Sequence, residues 1–586
     1  MANVFNSVKG LHPKRNVFSA HTYRNDLTSQ LGVNIPIYQQ HVAPGTRIKC
    51  STSALVRLQA LIAPIMDNID FYVHFWKIPY RLLENDRFTQ FISGEISPEE
   101  YEGIFITPSE LGKEIGTAID YEEVQDRIDT YNAIVGNGSI FDYLGYDVSQ
   151  FPTISYNVGD DEWVYTGGNN KIKINLRPLI AYYMLHQNWY MNENVPYFAE
   201  FIDYYDYMIK NQNLEYLIYL LVYSYNTFGT TLLPHGWEKD YFTSALPNVQ
   251  YGDPVTLPIA GSASVSIPQQ NFALTSGSLN IPLTVMLPEA ASFDAEQNMS
   301  IQEMDGSQVG FLTDGNGYQN IINIGGKNTA LSGTADLSEA TAITVNEFRF
   351  ANALQVFKER QMRYGRRRQE YYKGFFDVTP EDFRLQIPQY LGGGRIPINI
   401  ADIEQTSKTD GSSALGHLAG KATAVAGGFA GFNTFCSEEC IIIGIGFAMP
   451  HITYAQQMSR FLFKTNDIYD YFNPSFEHLG EQAILNMELV CKSNPDKEFG
   501  YTPRYNEYRF HSNEMHGEFK NSLAYWTLGR IFSSQPALNA NFIYMQPSVF
   551  DRIFAVSGQP SMLVSLLYRV RLIQPVSKYG TPMLLV

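Results

Sequence analysis

The chain has 586 residues, of which 45% are hydrophobic and 17% charged, with a formal net charge of −17 at pH 7. So low a charged share excludes an intrinsically disordered chain and calls for an extensive buried surface. The acidic total excludes a protein that grips nucleic acid over its whole surface and confines any such contact to a local basic face. Aromatic residues reach 14%, with 39 Tyr and 37 Phe. Tyrosine serves cores and subunit contacts equally well, because its apolar ring carries a polar tip.

The first residues, MANVFNSVKGLHPKRNVF, contain no continuous apolar stretch, so no secretory signal is expected; Lys9, Lys14 and Arg15 make the segment locally basic. From Ile69 to Pro79 the sequence alternates, with Ile69, Phe71, Val73 and Phe75 on one face and Asp70, Tyr72, His74 and Trp76 on the other. This period of two predicts a strand. Adjacent acids Asp160, Asp161 and Glu162 lie in a Gly-flanked loop and are expected to be solvated rather than to hold a cation. A helical stretch is predicted over 197–223, broken near Asn211-Gln212-Asn213. Leu214–Phe228 is apolar but shorter than the roughly 20 residues that span a bilayer, and it carries Glu215. It reads as a buried or interface helix, with no membrane insertion.

Residues 255–344 form a compositional island of Gly, Ser, Thr, Asn and Ala, with Lys327 as their only basic residue. Apolar runs such as SLNIPLTVMLP persist through it, so it is expected to be an ordered, solvent-facing insertion between a first core segment, 1–254, and a second, 345–586. Val345–Gln361 predicts a further helix, with Phe348, Leu354 and Phe357 towards one side. It leads into the strongest basic cluster: Arg360, Arg363, Arg366, Arg367 and Arg368, interleaved with Tyr364, Tyr371 and Tyr372. Guanidinium groups hold phosphates and aromatic rings stack on unpaired bases, so a DNA-facing role competes with a solvated helix end or an ion-pair belt. Gly392-Gly393-Gly394 reads as a turn, without the strand-then-helix setting of a nucleotide loop. Cys440–Ala448 is a near-continuous apolar run of the sandwich-core kind, and in Met562–Pro575 Val564, Leu566, Tyr568, Val570 and Leu572 alternate with Ser565, Arg569 and Arg571. Strands towards both ends with long excursions between them predict a β-sandwich with elaborated loops.

Catalytic constellations are poor: there is no Walker-type phosphate loop, no G-x-S-x-G elbow and no H-E-x-x-H helix. His478 and Glu481 in HLGEQA invite an acid–base role, but the string is one of those that carry the family resemblance given below, which implies a structural one. The four cysteines, Cys50, Cys436, Cys440 and Cys491, are too few for a disulfide framework. Cys436 and Cys440 lack a second ligand pair at zinc spacing and are expected to be an ordinary reduced pair at a strand edge. No catalytic residue, cofactor or metal is therefore assigned.

Several long strings resemble the major capsid proteins of the Microviridae, specifically the gokushovirus branch. They include IPIYQQHVAPGTRIK at Ile35–Lys49, LIAPIMDNIDFYVHFWKIPYRLL at Leu61–Leu83, and DYFTSALPNVQYGDPVTLPI at Asp240–Ile259. QYLGGGRIPINIADIEQTS at Gln389–Ser407, HLGEQAILNMEL at His478–Leu489, FGYTPRYNEYRF at Phe499–Phe510 and PVSKYGTPMLL at Pro575–Leu585 continue the match in order. The resemblance implies a non-enzymatic bacteriophage coat subunit with an eight-stranded antiparallel jelly roll. It further implies sixty copies closing an icosahedral shell around circular single-stranded DNA in the host cytoplasm, with an internal scaffolding protein and a small DNA-binding protein as partners. In that family a variable insertion after the YFTSALP-like segment rises at the threefold axes, where the 255–344 island lies, and recognition of a host receptor is its expected role. By the same resemblance the basic N-terminal segment with Lys14 and Arg15 faces the shell interior. The segments 97–175 and 192–236 are longer than the family core leads one to expect. Two rival readings are a carbohydrate-binding or carbohydrate-active jelly roll, which needs a carboxylate pair or aromatic platform, and a surface-layer or adhesin subunit, which needs export.

Overall fold

In the computed structural model the described residues are 14–255 and 345–578, apart from 20, 85–86, 98–100, 102–103, 121–122, 212, 366, 405–417, 464–466 and 557; between 262 and 336 only the backbone of seven strands is described. The chain divides into two compact units, Met1–Tyr251 with Glu359–Val586, and Gly252–Lys358.

The first unit is organised by one continuous antiparallel ladder. Its strands are β1 (Asn16–Phe18), β2 (Tyr23–Ser29), β3 (Ile35–Val42), β4 (Thr46–Leu58), β5 (Ile69–Pro79), β6 (Gln389–Glu404), β7 (Leu418–Cys436), β8 (Cys440–Pro450) and β9 (Met562–Gln574). Their order is β1-β9-β4-β7-β6-β5-β8-β3, with β2 following β1 along the same edge of β9. The period-two readings of β5 and β9 hold, since every named apolar position on them is buried. On β8 ten of the eleven residues are buried, as befits a strand covered on both faces.

The ladder closes on itself because β6 changes partners. Residues 389–398 pair with β5, while Asn399–Glu404 pair with β7. Gly392-Gly393-Gly394 lies in the half paired with β5, four residues before the change of partner, inside the strand and not in the turn read from the sequence. Gly392 has φ +149°, and an added Cβ there would meet the Gly431 carbonyl oxygen at 2.7 Å. A Cβ on Gly393 would be driven into the Val73 carbonyl, and one on Gly394 into that of Phe429. The glycines are needed because two sheets approach the strand at once, the setting in which glycine enters a strand interior.

The two layers so formed face each other across an aromatic core. Tyr38 of β3 packs on Phe75 of β5 (5.7 Å between ring centroids), on Phe432 of β7 (6.1 Å) and on Tyr568 of β9 (5.0 Å). Each such buried ring contributes about 1.5–3 kcal/mol. Polar groups finish the closure: the Tyr568 hydroxyl donates to the Ile37 carbonyl of β3 at 2.9 Å, and Asn25 Nδ2 of β2 donates to the same oxygen at 2.8 Å. The two ends of the ladder are thus tied together, and the fold is a jelly-roll sandwich.

The long segments 97–175 and 192–236 build a helical cover over one layer. Helices α1 (Pro108–Ala118), α2 (Val124–Val135), α4 (Phe201–Asn211) and α5 (Leu214–Phe228) come from these segments, and α3 (Arg177–Leu185) from the stretch between them. Thr107 starts α1 with a reciprocal cap on Glu110, and Pro108 fits the first turn. The predicted helix of 197–223 is broken where expected: Asn213 caps α5, and Gly229 ends it in the left-handed region at φ +67°. Every residue of α3 is buried. Beside it Trp76 of β5 donates to the Tyr190 hydroxyl at 3.1 Å and packs on Trp189 at 4.7 Å, and His235 stacks on Phe447 of β8 at 3.8 Å. Burial holds His74 and His235 neutral, with pKa values pushed down to about 4 and about 3. No helix among the described residues is long and apolar enough to cross a membrane.

Tyrosines pin this cover and the other long loops to the sandwich. Tyr182 donates to the Asn34 carbonyl and accepts from the Leu233 amide, both at 2.9 Å. Tyr544 donates to the Val195 carbonyl at 2.7 Å and accepts from the Asn192 amide at 2.9 Å. Arginines do the same for the irregular stretch between β8 and β9: buried Arg530 donates to the Phe542 carbonyl at 2.7 Å and lies 4.1 Å from that ring, and Arg552 donates to the Thr527 carbonyl at 3.0 Å.

In the second unit the described backbone forms three small antiparallel assemblies. Ser262–Ile267 pairs with Leu331–Asp336, Phe272–Ser276 with Leu279–Leu283, and Ser307–Thr313 runs between Ile301–Met304 and Gln319–Ile324.

The glycines of β6 yield a sharp comparison. Gly394→Ala is expected to lower the melting temperature by several degrees or to prevent recovery of folded protein, because the added methyl has no space. Gly427→Ala, where a Cβ meets nothing within 4 Å, is expected to melt as wild type. Thermal unfolding followed by circular dichroism separates the two.

Candidate nucleic-acid and assembly surfaces

The basic cluster straddles the end of α6 (Val345–Tyr364) and the start of α7 (Arg368–Phe376). Helix α6 extends three residues beyond the predicted span. Phe348 and Phe357, expected to share a side, are 56% and 39% exposed, and Leu354 is half-buried. The five arginines do not act alike. Arg360 and Arg368 are exposed. Arg363 forms a salt bridge with Glu481, Nε to Oε1 at 3.0 Å, and the Glu481 side chain is fully buried. Removing that arginine would strand a buried carboxylate, so Arg363 has a structural task. This pairing also explains His478 and Glu481: His478 is exposed, while Glu481 serves the ion pair.

Arg367 is the most enclosed of the described arginines of the cluster. Its Nη2 donates to the Gln187 and Met191 carbonyls, each at 2.8 Å, tying the α6–α7 connection to the end of α3. Its Nη1 lies 3.3 Å from Glu370 and 3.8 Å from Glu193. Arg366 lies outside the described residues. Of the interleaved aromatics, Tyr364 and Tyr372 are 42% and 40% exposed, whereas Tyr371 packs on Phe375 at 4.9 Å.

Lys14 and Arg15 are exposed and stand elsewhere in the first unit, on the approach to β1. The Arg15 guanidinium lies 5.6 Å from the centre of the Phe435 ring on β7. Arg569 and Arg571, read in the sequence only as the polar face of a strand, point outward from β9 beside Lys49 of β4. Reading R-I-K at Arg47–Lys49 and R-V-R at Arg569–Arg571 together, each at a strand's period of two, would have exposed this second concentration of charge.

Other sequence candidates resolve simply. Asp160 accepts from Asn157 at 2.6 Å at the tip of the hairpin Thr153–Thr166, and all three acids there are exposed. Cys436 and Cys440 face each other at the ends of β7 and β8, both reduced, buried and hydrogen-bonded. No group of three or more His, Cys, Asp or Glu able to hold a metal occurs among the described residues.

Apolar side chains gather instead on the outside. Leu462 is 77% exposed, Ile468 64%, Tyr471 53% and Leu479 59%. They ride on a loop whose rings pack on one another, Phe461 on Tyr508 at 5.0 Å and Phe472 on Tyr505 at 5.3 Å. Exposed apolar side chains of this size suit contact with other macromolecules.

A closed sandwich, loops pinned to it by buried tyrosine and arginine, and large apolar side chains exposed on a loop define a structural building block. Its buried ionic groups are engaged in internal ties. The chain belongs to the family described as Capsid protein (F protein), whose model matches residues 6–136 and 142–584. It is 28% identical to Capsid protein VP1 of Bdellovibrio phage phiMH2K over 97% of each chain, and 28% identical to that of Chlamydia phage 1 over 99% of this chain and 98% of the relative. It is 25% identical to Capsid protein VP1 of Spiroplasma virus 4 over 99% of this chain and 97% of the relative. The gokushovirus-like resemblance read from the sequence is thereby borne out: this is a structural capsid protein and not an enzyme, and the carbohydrate reading has no support.

The Arg367 tie carries a pH dependence. Burial first, and then a hydrogen bond shared with Glu193, push the Glu370 carboxyl up to about 8. An acid whose folded pKa lies above its unfolded value binds more protons when folded. The folded segment therefore loses stability as pH rises between about 4.5 and about 8. At pH 8.5 wild-type protein is expected to be nicked by trypsin within the arginine cluster faster than Glu370→Gln, and the difference is expected to narrow at pH 6. Gel electrophoresis of time points reads the difference.

Proposed function

We propose that this capsid protein is the subunit of a sixty-copy icosahedral shell enclosing circular single-stranded DNA. Assembly takes place in the host bacterial cytoplasm, with an internal scaffolding protein and a small DNA-binding protein as partners. Segments 1–254 and 345–586 make the shell wall. The 255–344 insertion forms a surface protrusion at the threefold axes that recognises a host receptor. The observation that carries this reading is the family match running on both flanks of the insertion and almost from end to end of the chain. The curled sandwich supports it, because a compact wedge leaves loops free to meet neighbours around several symmetry axes. The exposed side chains near Leu462 and Leu479 provide apolar area for contacts between copies. The DNA-facing role falls to the exposed Lys14, Arg15, Arg360 and Arg368; Arg363 and Arg367 act through internal ties, and Arg366 is kept from the sequence reading.

Two measurements test it. Electron microscopy of particles formed with the partner proteins is expected to show closed shells holding nuclease-resistant DNA. Arg360→Ala with Arg368→Ala should leave the shells and lower the DNA per particle; unchanged DNA content removes these two arginines from the contact. Deleting residues 261–341 is expected to leave particles that form but no longer adsorb to cells. Loss of shells on deletion would instead place the insertion's role in assembly.

A further inference from the structure

Among the described residues the sandwich is covered on one side only. The outer side of β5 and β8 lies beneath α3 and the rings of Trp189, Tyr190 and His235. The outward positions of β9, β4 and β7 are open to solvent, and on them Arg47, Lys49, Arg57, Lys421, Arg569 and Arg571 are all exposed. These strands of 13, 13 and 19 residues contain no Asp or Glu, in a chain with 59 acidic residues against 42 basic ones. Of the acids on the flanking strands, Asp26 of β2 is already paired with Arg24 at 2.7 Å, and Asp402 and Glu404 of β6 stand opposite Gly420 and Leu418 of β7, on the other side of the strand from Ala401, which faces Lys421. A solvated face taken at random from an acidic chain would not be purged of acids in this way.

Register brings like charges together. Lys49 stands directly opposite Arg571, with Arg569 opposite Ser51 one step along the same face. Like charges directly opposed across a ladder are destabilising. Lysine and arginine do guard sheet edges against unwanted pairing, but β4 lies between β9 and β7 and has no free edge. The free chain thus keeps a repulsion that a bound polyanion would relieve. Aromatic surface lies beside the charge: Phe435 of β7 is 48% exposed, stands opposite Arg47 and has the Arg15 guanidinium 5.6 Å from its centre. Cations that track a phosphate backbone, next to a ring and a planar guanidinium that stack on bases, make a sequence-independent single-strand surface.

We infer that the outer face of β9, β4 and β7 binds single-stranded nucleic acid through its phosphates, with Phe435 and Arg15 taking an unpaired base. This deepens the DNA-enclosing reading and rests on it. It locates the contact on the sandwich itself, apart from the α6–α7 cluster.

The test uses the full-length protein and a fluorescein-labelled oligo(dT) of about 20 nucleotides, with anisotropy followed as a function of salt. The variant Lys49→Thr/Arg569→Thr/Arg571→Thr keeps a strand-favouring residue at each position. Its affinity at about 0.1 M salt is expected to fall at least tenfold, and its slope of log affinity against log salt by about 2, near 0.7 for each lost phosphate contact. Its melting temperature should equal or exceed wild type, because the repulsion between Lys49 and Arg571 is gone. Lys113→Thr/Lys171→Thr/Lys173→Thr, which removes three exposed charges elsewhere, should bind within about twofold of wild type. Wild-type affinity in the strand variant, or an equal loss in both variants, overturns the assignment. So does poly-glutamate binding that exceeds DNA binding and is lost in the strand variant, since the face would then serve an acidic protein segment. Particle DNA separates this inference from the reading beneath it. Wild-type particles without nuclease-resistant DNA remove the packaging reading, whereas equally filled wild-type and variant particles remove only the sheet-face assignment.

Discussion

The structure depends on the passage of β6 from one layer to the other. A single antiparallel ladder of this length would otherwise remain an open, twisted sheet with two exposed edges. By giving one half of β6 to β5 and the other half to β7, the chain folds the ladder back on itself. The ends β2 and β3 are then close enough to share the Ile37 carbonyl between Asn25 and Tyr568. Three consecutive glycines just before the crossing are the condition for this, because carbonyl oxygens of both layers occupy the space that side chains would need. The aromatic core of Tyr38, Phe75, Phe432 and Tyr568 is a consequence of that geometry, and its burial offsets the cost of the bend.

Closing the sandwich creates a problem of loops. Long connections leave the core between β5 and β6 and between β8 and β9, and their backbone groups must be satisfied away from regular ladders. The chain solves this with side chains that are apolar along their length and polar at the end. Tyr182 and Tyr544 each satisfy one carbonyl and one amide of distant segments, and Arg530 and Arg552 reach carbonyls inside apolar surroundings. The tyrosine content, which composition could not divide between core and interface, is in good part explained by these ties. A loop held in this way keeps its shape without a partner, which is what a surface meeting identical copies requires.

Legibility in the sequence tracked the range of the interactions. β5 and β9 could be read because a buried face imposes period two over ten or more residues, β8 because cover on both faces demands a near-continuous apolar run, and the helix break before Asn213 because capping is local. The glycine triplet was misread as a turn because its conformation is set by Val73 and Phe429, far away in sequence, and not by its neighbours. The arginine cluster was visible as charge but not as function. That Arg363 answers Glu481 and Arg367 answers Gln187 and Met191 depends on tertiary contacts that no local pattern encodes. The basic strands were missed for the opposite reason. Each holds only one to three cations, and the face appears only when register sets Arg47, Lys49, Arg569 and Arg571 side by side.

The distribution of charge bears on how such a subunit is kept apart from its copies and then joined to them. A net charge of −17 makes free subunits repel one another and keeps them soluble. That repulsion is screened beyond about 8 Å at physiological ionic strength, so it governs approach and not contact. Once surfaces meet, apolar area of the kind exposed at Leu462 and Leu479 acts at short range, where screening has little to oppose. Gathering cations on strands without acids leaves the rest of the surface more acidic than the total suggests. Attraction for a polyanion is then concentrated where those cations gather, and repulsion between like subunits is spread over the remainder. A uniform mixture of the same residues would provide neither, so the sorting of charge by strand face is as much a property of the fold as the sandwich itself.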